Sequence, residues 1–299
     1  MAGSTTYPAT VDNKTALQDG IDYMEADNVN NAYVPENATQ TFIGANGKGA
    51  SWSTDILDYL SNLKAPIVTK ASASTLSVST GAVMVKNSGQ TNRIGRRNTS
   101  ATTVTASDID TGTLAVNYYY VFAVADTAAT TFTVKFSLSS TAPTGLTNFE
   151  LIGWFYNETT SAIDLTNGYV GNNKGAGRDV PNCVTVNSAV VDTVNDTSYG
   201  SDLTGAVIRF YSSGRPVEIS FTSNWANAGD EPKVIVDIDG TDKTASERSA
   251  FSTSGTVDQS LCTIYMETLS AGTHTITIQA KVASGSDDCD LKTLIVKEL

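Results

Sequence analysis

Residues 131–138 read TFTVKFSL, placing Phe132, Val134, Phe136 and Leu138 on one side of an extended chain and Thr131, Thr133, Lys135 and Ser137 on the other. Alternation with period two predicts a strand with one buried face. The flanking runs YYYVFAVA (118–125) and FELIGWFY (149–156) are almost continuously apolar. A strand reads that way when both faces are covered, by a second sheet or by a neighbouring subunit. With the shorter runs TLSVS, AVMVK and ATTVT, these segments predict a first β domain over residues 68–170.

The same patterns return downstream. Residues 207–211, 217–222, 234–238 and 275–282 alternate or run apolar, and the chain ends in TLIVKEL, which predicts a second antiparallel, jelly-roll-like β-sandwich over 183–299. Between the two, the stretch LTNGYVGNNKGAGRDVPN (165–182) is rich in Gly and Asn and poor in apolar residues, so residues 171–182 are expected to be a linker. The fold class is therefore mainly β.

Residues 1–67 differ in kind. Leu17, Ile21 and Met24 recur at helical spacing, Val29, Tyr33 and Ile43 continue a stripe broken by Pro35, and a second helix is expected over 54–63. Helices this short are marginal in water without a partner surface. The segment is thus expected to dock or oligomerise through Ile21, Met24, Val29, Tyr33, Ile43, Trp52, Ile56 and Leu60.

Composition narrows the function classes. The 299 residues carry a net charge of −12, which repels a phosphate backbone and argues against a nucleic-acid partner. The one basic group, Arg93, Arg96 and Arg97 in NRIGRRN, is expected in a solvated loop or an intersubunit ion pair. No apolar run has the length of a membrane span, so membrane insertion is not expected. Cys183, Cys262 and Cys289 show no disulfide framework, and Cys262 shares its phase with Ile264 and Met266, which predicts a buried, reduced thiol.

The motifs that carry chemistry are weak or broken. GANGKGAS has two residues between its first glycines and Gly49 after Lys48, so it misses the phosphate-loop spacing. His274 is the sole histidine and shares strand phase with Ile276, Ile278 and Ala280, which predicts a packed or hydrogen-bonded ring. A lone histidine leaves out the usual zinc sets, and no G-x-S-x-G elbow supplies an activated serine. Asp237 and Asp239 in DIDGTD lack the closing Glu of a calcium loop, and Asp239-Gly240 predicts a hairpin turn. No catalytic residue, metal or cofactor is expected. Trp225 lies in the polar stretch TSNWANAGDEP and is expected to be exposed; with Tyr199, Tyr211 and Asp239 it is a candidate contact for a receptor or glycan.

Several stretches, taken in order, resemble bacteriophage fibre proteins. TYPATVDNKTALQDGIDYMEADNVNNAYVPENATQTFIGANGKG is similar to their N-terminal region, through Tyr7, Pro8, Ala26, Asp27, Val29, Asn30, Gly44, Asn46, Gly47, Lys48 and Gly49. The middle segment TAPTGLTNFELIGWFYN and the C-terminal LSAGTHTITIQAKVASG resemble fibre modules and jelly-roll tips. Pro35 departs from the continuous helix of that family. The resemblance implies a virion structural protein made in a bacterial cytoplasm. It would be a homotrimeric short fibre, spike or decoration protein, attached to capsid, collar or tail by its first ~60 residues. A host-glycan adhesin and a polysaccharide-degrading tailspike are the alternatives it leaves.

Overall fold

A computed structural model of the chain describes residues 64–87, 93–125, 129–174, 180–226, 231–250 and 258–299. The expected docking residues, from Ile21 to Leu60, lie outside them. The described residues belong to one compact unit, Lys64–Leu299. Its described residues form antiparallel sheets and one short 3-10 turn at Ala106–Asp108.

In the first half, β1 (Val68–Lys70), β2 (Leu76–Val78) and β5 (Thr102–Val104) form a small sheet in the order β1-β2-β5. A larger sheet has the order β4-β3-β8-β6-β7, from β3 (Gly81–Asn87), β4 (Arg93–Asn98), β6 (Asn117–Val124), β7 (Thr133–Ser137) and β8 (Asn148–Asn157), with β9 (Val170–Asn172) pairing β8. Leu76, Val78 and Val104 of the small sheet share a core with Tyr119, Val121, Ile152 and Phe155 of the large one. The alternate residues of β6 and β8, Tyr120, Phe122 and Trp154, belong to a different core, described below. Both faces of these two strands are thus covered, which is why their sequences lose the alternation seen in β7. In and just before β7, Phe132, Val134 and Phe136 are buried as expected, whereas Leu138 is 48% exposed because the strand ends at Ser137.

The arginine-bearing segment is a correction. Residues 93–98 form β4, paired along its length with β3, rather than a loop. Its alternation is diluted by Gly95 and the arginines, so the strand signal was hidden by polarity rather than missing.

The second half is a jelly roll. β10 (Asn182–Ser188), β18 (Asp287–Glu298), β13 (Pro216–Ala226) and β16 (Gln259–Thr268) form one sheet in that order, with β11 (Asp192–Val194) also on β18. β12 (Asp202–Ser213), β17 (Ala271–Lys281), β14 (Lys233–Ile238) and β15 (Thr241–Ser249) form the other. Between them lie Ile208, Phe210, Ile219, Phe221, Val234, Ile276, Ile278 and Leu294, all at most 1% exposed. Apart from β10 and β11, which both pair β18, and the β14-β15 hairpin, successive strands cross between the sheets, the strand order expected of two interlocked Greek keys.

The expected linker, 171–182, meets a strand at each end. Val170, Gly171 and Asn172 form β9 and are all buried, and Asn182 opens β10 at 1% exposure. Asparagine here replaces missing backbone partners. Asn172 accepts from the Val68 N–H at 2.7 Å and donates to the Pro181 carbonyl at 2.9 Å, tying the small sheet to the chain entering the jelly roll. Asn182 Oδ1 accepts from the Trp154 indole N–H at 3.1 Å, and its Nδ2 donates to the Tyr211 carbonyl at 2.9 Å and to Glu298 Oε2 at 3.0 Å. The other Glu298 oxygen accepts from Ser212 Oγ, Ser213 N and Ser213 Oγ at 2.7–3.1 Å.

Apolar contacts close the same junction. Trp154 meets Phe210 edge-on at 5.8 Å, Tyr120 meets Tyr211 at 5.2 Å, and one hydrophobic cluster runs from Phe122 and Phe149 into the jelly-roll core. Gly171 makes the approach possible: a Cβ there would lie 2.6 Å from the Trp154 ring and closer still to Asn182 Oδ1. The two sandwiches therefore behave as one body.

Two outcomes follow for urea unfolding of the intact protein. Asn182→Ala leaves an indole N–H, a carbonyl and a carboxylate oxygen unsatisfied in the interior and lowers stability by about 3 kcal/mol. Gly171→Ala, a change that adds one methyl, is at least as damaging, and the unit formed by both sandwiches melts in one transition in calorimetry.

Candidate functional site

The side chains with most chemical potential gather where the β12-β17-β14-β15 sheet meets the six-stranded sheet. Asp239 and Gly240 connect β14 to β15 with φ of 53° and 79°, the left-handed pair that a tight two-residue hairpin requires. The turn carries Asp239 back over β17. Its Oδ1 accepts from the Thr275 N–H at 2.8 Å, and its Oδ2 lies 2.7 Å from His274 Nδ1. His274 Nε2 faces the Ser270 carbonyl at 2.9 Å, and the ring is 9% exposed. The His274 carbonyl in turn accepts from the Tyr118 hydroxyl at 3.0 Å.

The sole histidine therefore joins two turns of the jelly roll, and its backbone joins them to the first sandwich. Both ring nitrogens are held by protein oxygens. A general base needs a ring nitrogen within reach of the proton it removes, and here neither nitrogen faces open space.

Tyrosines line the rest of the junction. Tyr118 stacks edge-on against Tyr156 at 5.0 Å, Arg209 sits 5.6 Å above the Tyr156 ring, and the Tyr169 hydroxyl donates to the Val207 carbonyl at 3.0 Å. Burial is the main reason that the Tyr118, Tyr120 and Tyr211 phenols are pushed up, and that Tyr169 is pushed up to about 12. These groups remain neutral hydrogen-bond donors at any physiological pH, suited to holding carbonyls and unsuited to proton transfer.

The Asp237 carboxyl is held up. Burial raises it most, the Gly240 N–H at 2.9 Å opposes that, and the like charges of Asp242, Asp202 and Asp239 add to the rise.

The four proposed contact residues do not converge. Trp225 sits at the end of β13 with 0% exposure, its indole N–H donating to Ser223 Oγ at 2.9 Å, so the expectation of an exposed ring is corrected. Thr222 and Asn224 face outward from the same strand, while Ser223 and Trp225 face in. Tyr211 lies in the junction against Tyr120. Tyr199 is half-buried across the outside of the β12-β17-β14-β15 sheet, donating to Glu247 Oε2 at 2.9 Å beneath the Lys281 ammonium at 4.2 Å. Asp239 is occupied by His274, although its side chain is 48% exposed.

The cysteine expectation is likewise corrected. Cys262, Ile264 and Met266 do share a phase, but it is the outward phase of β16: Cys262 is exposed, and Ile264 and Met266 are 57% and 62% exposed. Cys289 is the buried thiol, pushed up to about 12 mainly by burial. Beside it Lys292, fully buried, reaches Asp192 Oδ2 at 2.6 Å and pins β11 to β18. Among the described residues no group of three or more His, Cys, Asp or Glu side chains is placed to hold a metal ion. No helix there is long and apolar enough to cross a membrane.

No protein-family model matches the sequence, and no curated protein is similar to it. Among solved structures, the chain is similar to the infectious bursal disease virus VP2 subviral particle, at 12% identity and a TM-score of 0.30, over 77% of this chain and 72% of that one. It is also similar to a family 35 carbohydrate-binding module from an environmental isolate, at 19% identity and 0.23, over 38% and 88%. A third likeness is the globular domain of a zebrafish complement 1qA protein, at 10% and 0.24, over 39% and 94%. Likenesses of this size carry no argument about what the chain does.

Trp225→Ala empties a large buried site and costs about 3–5 kcal/mol, read as a lower urea midpoint, so lost binding in that variant reports on folding. Asp237→Asn keeps the acceptor for the Gly240 N–H and removes a buried charge among like charges. The melting temperature at pH 7 therefore rises. The raised carboxyl binds its proton earlier in the folded chain than in the unfolded one, so the advantage of the variant shrinks as the pH falls through that range.

Proposed function

We propose that the chain is a non-enzymatic structural protein of a bacteriophage virion, a short fibre, spike or decoration protein. Its first ~60 residues attach it to the particle, and the unit 64–299 projects outward. The resemblance of the ordered motifs TYP, ADNVN, GANGKG and LTNFELIGWFYN to phage fibre proteins motivates this reading. The observation that carries it is the junction, where Trp154, Asn182, Tyr211 and Glu298 lock two sandwiches into one stiff body. A projecting element must transmit position without bending, and a buried polar network backed by aromatic contacts resists hinge motion.

The chemistry of the junction supports a passive role. His274 and Asp239 form the pair that hydrolytic enzymes use, yet the second ring nitrogen meets a backbone carbonyl where such an enzyme would place its nucleophile. Glycan contact finds less support than it had from the sequence, because Trp225 and Tyr211 are inside the protein. The partners in this reading are further copies of the chain, in a homotrimer, and another virion protein of capsid, collar or tail.

Immuno-electron microscopy of purified particles with antibodies against residues 64–299 tests the assignment. Label at a regular position on every particle is expected, and it disappears when residues 1–63 are deleted. Chain found wholly in the soluble fraction, with unlabelled particles, would overturn it.

A further inference from the structure

The two outward faces of the jelly roll are unlike. The β12-β17-β14-β15 sheet carries Lys233, Asp242, Glu247 and Lys281 outward, and the Tyr199 loop lies across it. The outward face of the β10-β18-β13-β16 sheet can be read row by row from the strand register. Thr185, Ile295, Ser220 and Ile264 lie side by side, and the next row is Asn187, Thr293, Thr222 and Cys262. Neither row holds a charge. The row beyond, Cys183, Lys297, Glu218 and Met266, sets its lysine opposite its glutamate, so it too is neutral.

Exposed apolar surface concentrates on the same sheet. Nine large hydrophobic residues are exposed among the described residues, and six of them belong to this sheet's strands and their ends: Val190, Val191, Ile264, Met266, Leu291 and Leu299. β16 is moreover the last strand of its path, and a strand in that position is ordinarily protected by outward charge. Here its outward residues are Cys262, Ile264 and Met266, left open at 57% and 62% exposure for the last two.

The character of the face selects its occupant. No aromatic ring stands in the three rows, so the stacking platform of a sugar site is missing. No basic group is in excess, so an anionic polymer is not favoured. Two copies of a chain with net charge −12 repel one another through most of their surfaces. Contact costs least over these three partly apolar rows without net charge; the outward carboxyls of this sheet, Asp288 and Asp290, stand beyond them at the start of β18. We infer that the outward face of the β10-β18-β13-β16 sheet is covered by a second copy of this chain. The inference deepens the oligomer of the proposed function and rests on that part of it, but it does not depend on where the protein sits in a particle.

Two native thiols make the face its own probe. Cys183 and Cys262 are both exposed and stand on opposite edges of it, while Cys289 is buried. Light scattering on the full chain gives the mass, and timed alkylation with a maleimide, read by peptide mass spectrometry, gives the coverage. A cysteine placed on the other sheet, Thr244→Cys, is the reference for an open site.

In the assembled protein Cys183 and Cys262 should react at least tenfold more slowly than the reference. The double variant Ile264→Glu with Met266→Glu should restore reaction to within about twofold of it and lower the mass. Thr222→Glu, at an exposed position in the same face, repeats the test should that variant melt early. An oligomer in which both native thiols react as fast as the reference overturns the face and leaves the oligomer standing. A mass of 31.4 kDa for the full chain at every concentration overturns both.

Discussion

The amide of Asn182 is the contact on which the rest of the arrangement depends. One planar group accepts from the Trp154 indole, donates to the Tyr211 carbonyl and donates to Glu298, so three segments far apart in the chain meet at a single side chain. Polar groups removed from water are costly unless each finds a partner, and here every partner is supplied by a different element. Losing any one of them strands the others. That mutual dependence makes the junction a specific lock, since two apolar faces alone would slide against one another.

Glycine sets the distance at which this lock works. Without a side chain at Gly171, β9 passes against the Trp154 ring, and Asn182 reaches the indole from the next strand. The tyrosines around it complete the seal: Tyr118 and Tyr169 reach across to the carbonyls of His274 and Val207, satisfying edge groups of the jelly roll that would otherwise need water. His274, which in isolation invites a catalytic interpretation, serves the same end by joining the hairpin at Asp239 to the turn at Ser270.

The outside of the protein follows a different logic. One face of the jelly roll is charged and partly crossed by a loop, while the other carries no net charge over three adjacent rows and is flanked by exposed valine, leucine, isoleucine and methionine. A stiff unit with two unlike faces suits a protein that repeats itself within a larger assembly. Its orientation is then set by which face meets a neighbour.

Local pattern was enough to give the class of fold. TFTVKFSL alternates because one face of β7 is solvated, and YYYVFAVA and FELIGWFY do not because β6 and β8 are covered on both sides. Asp239-Gly240 was legible as a turn because two successive left-handed residues need that chemistry. The direction of an alternating strand was not legible. In β16 every second residue is apolar, as a core strand would be, yet it is Leu261 and Thr263 that are buried and Ile264 and Met266 that are exposed. Period two states that a strand has two faces and is silent on which one meets the core. Trp225 illustrates the same point: Thr222 and Asn224 beside it belong to the opposite face, and the polar Ser223 on its own face is buried as the partner of its indole N–H. The junction escaped the sequence altogether: an asparagine in a Gly- and Asn-rich stretch reads as a turn former, and only the arrival of Trp154, Tyr211 and Glu298, from 28, 29 and 116 residues away, turns it into an interior anchor.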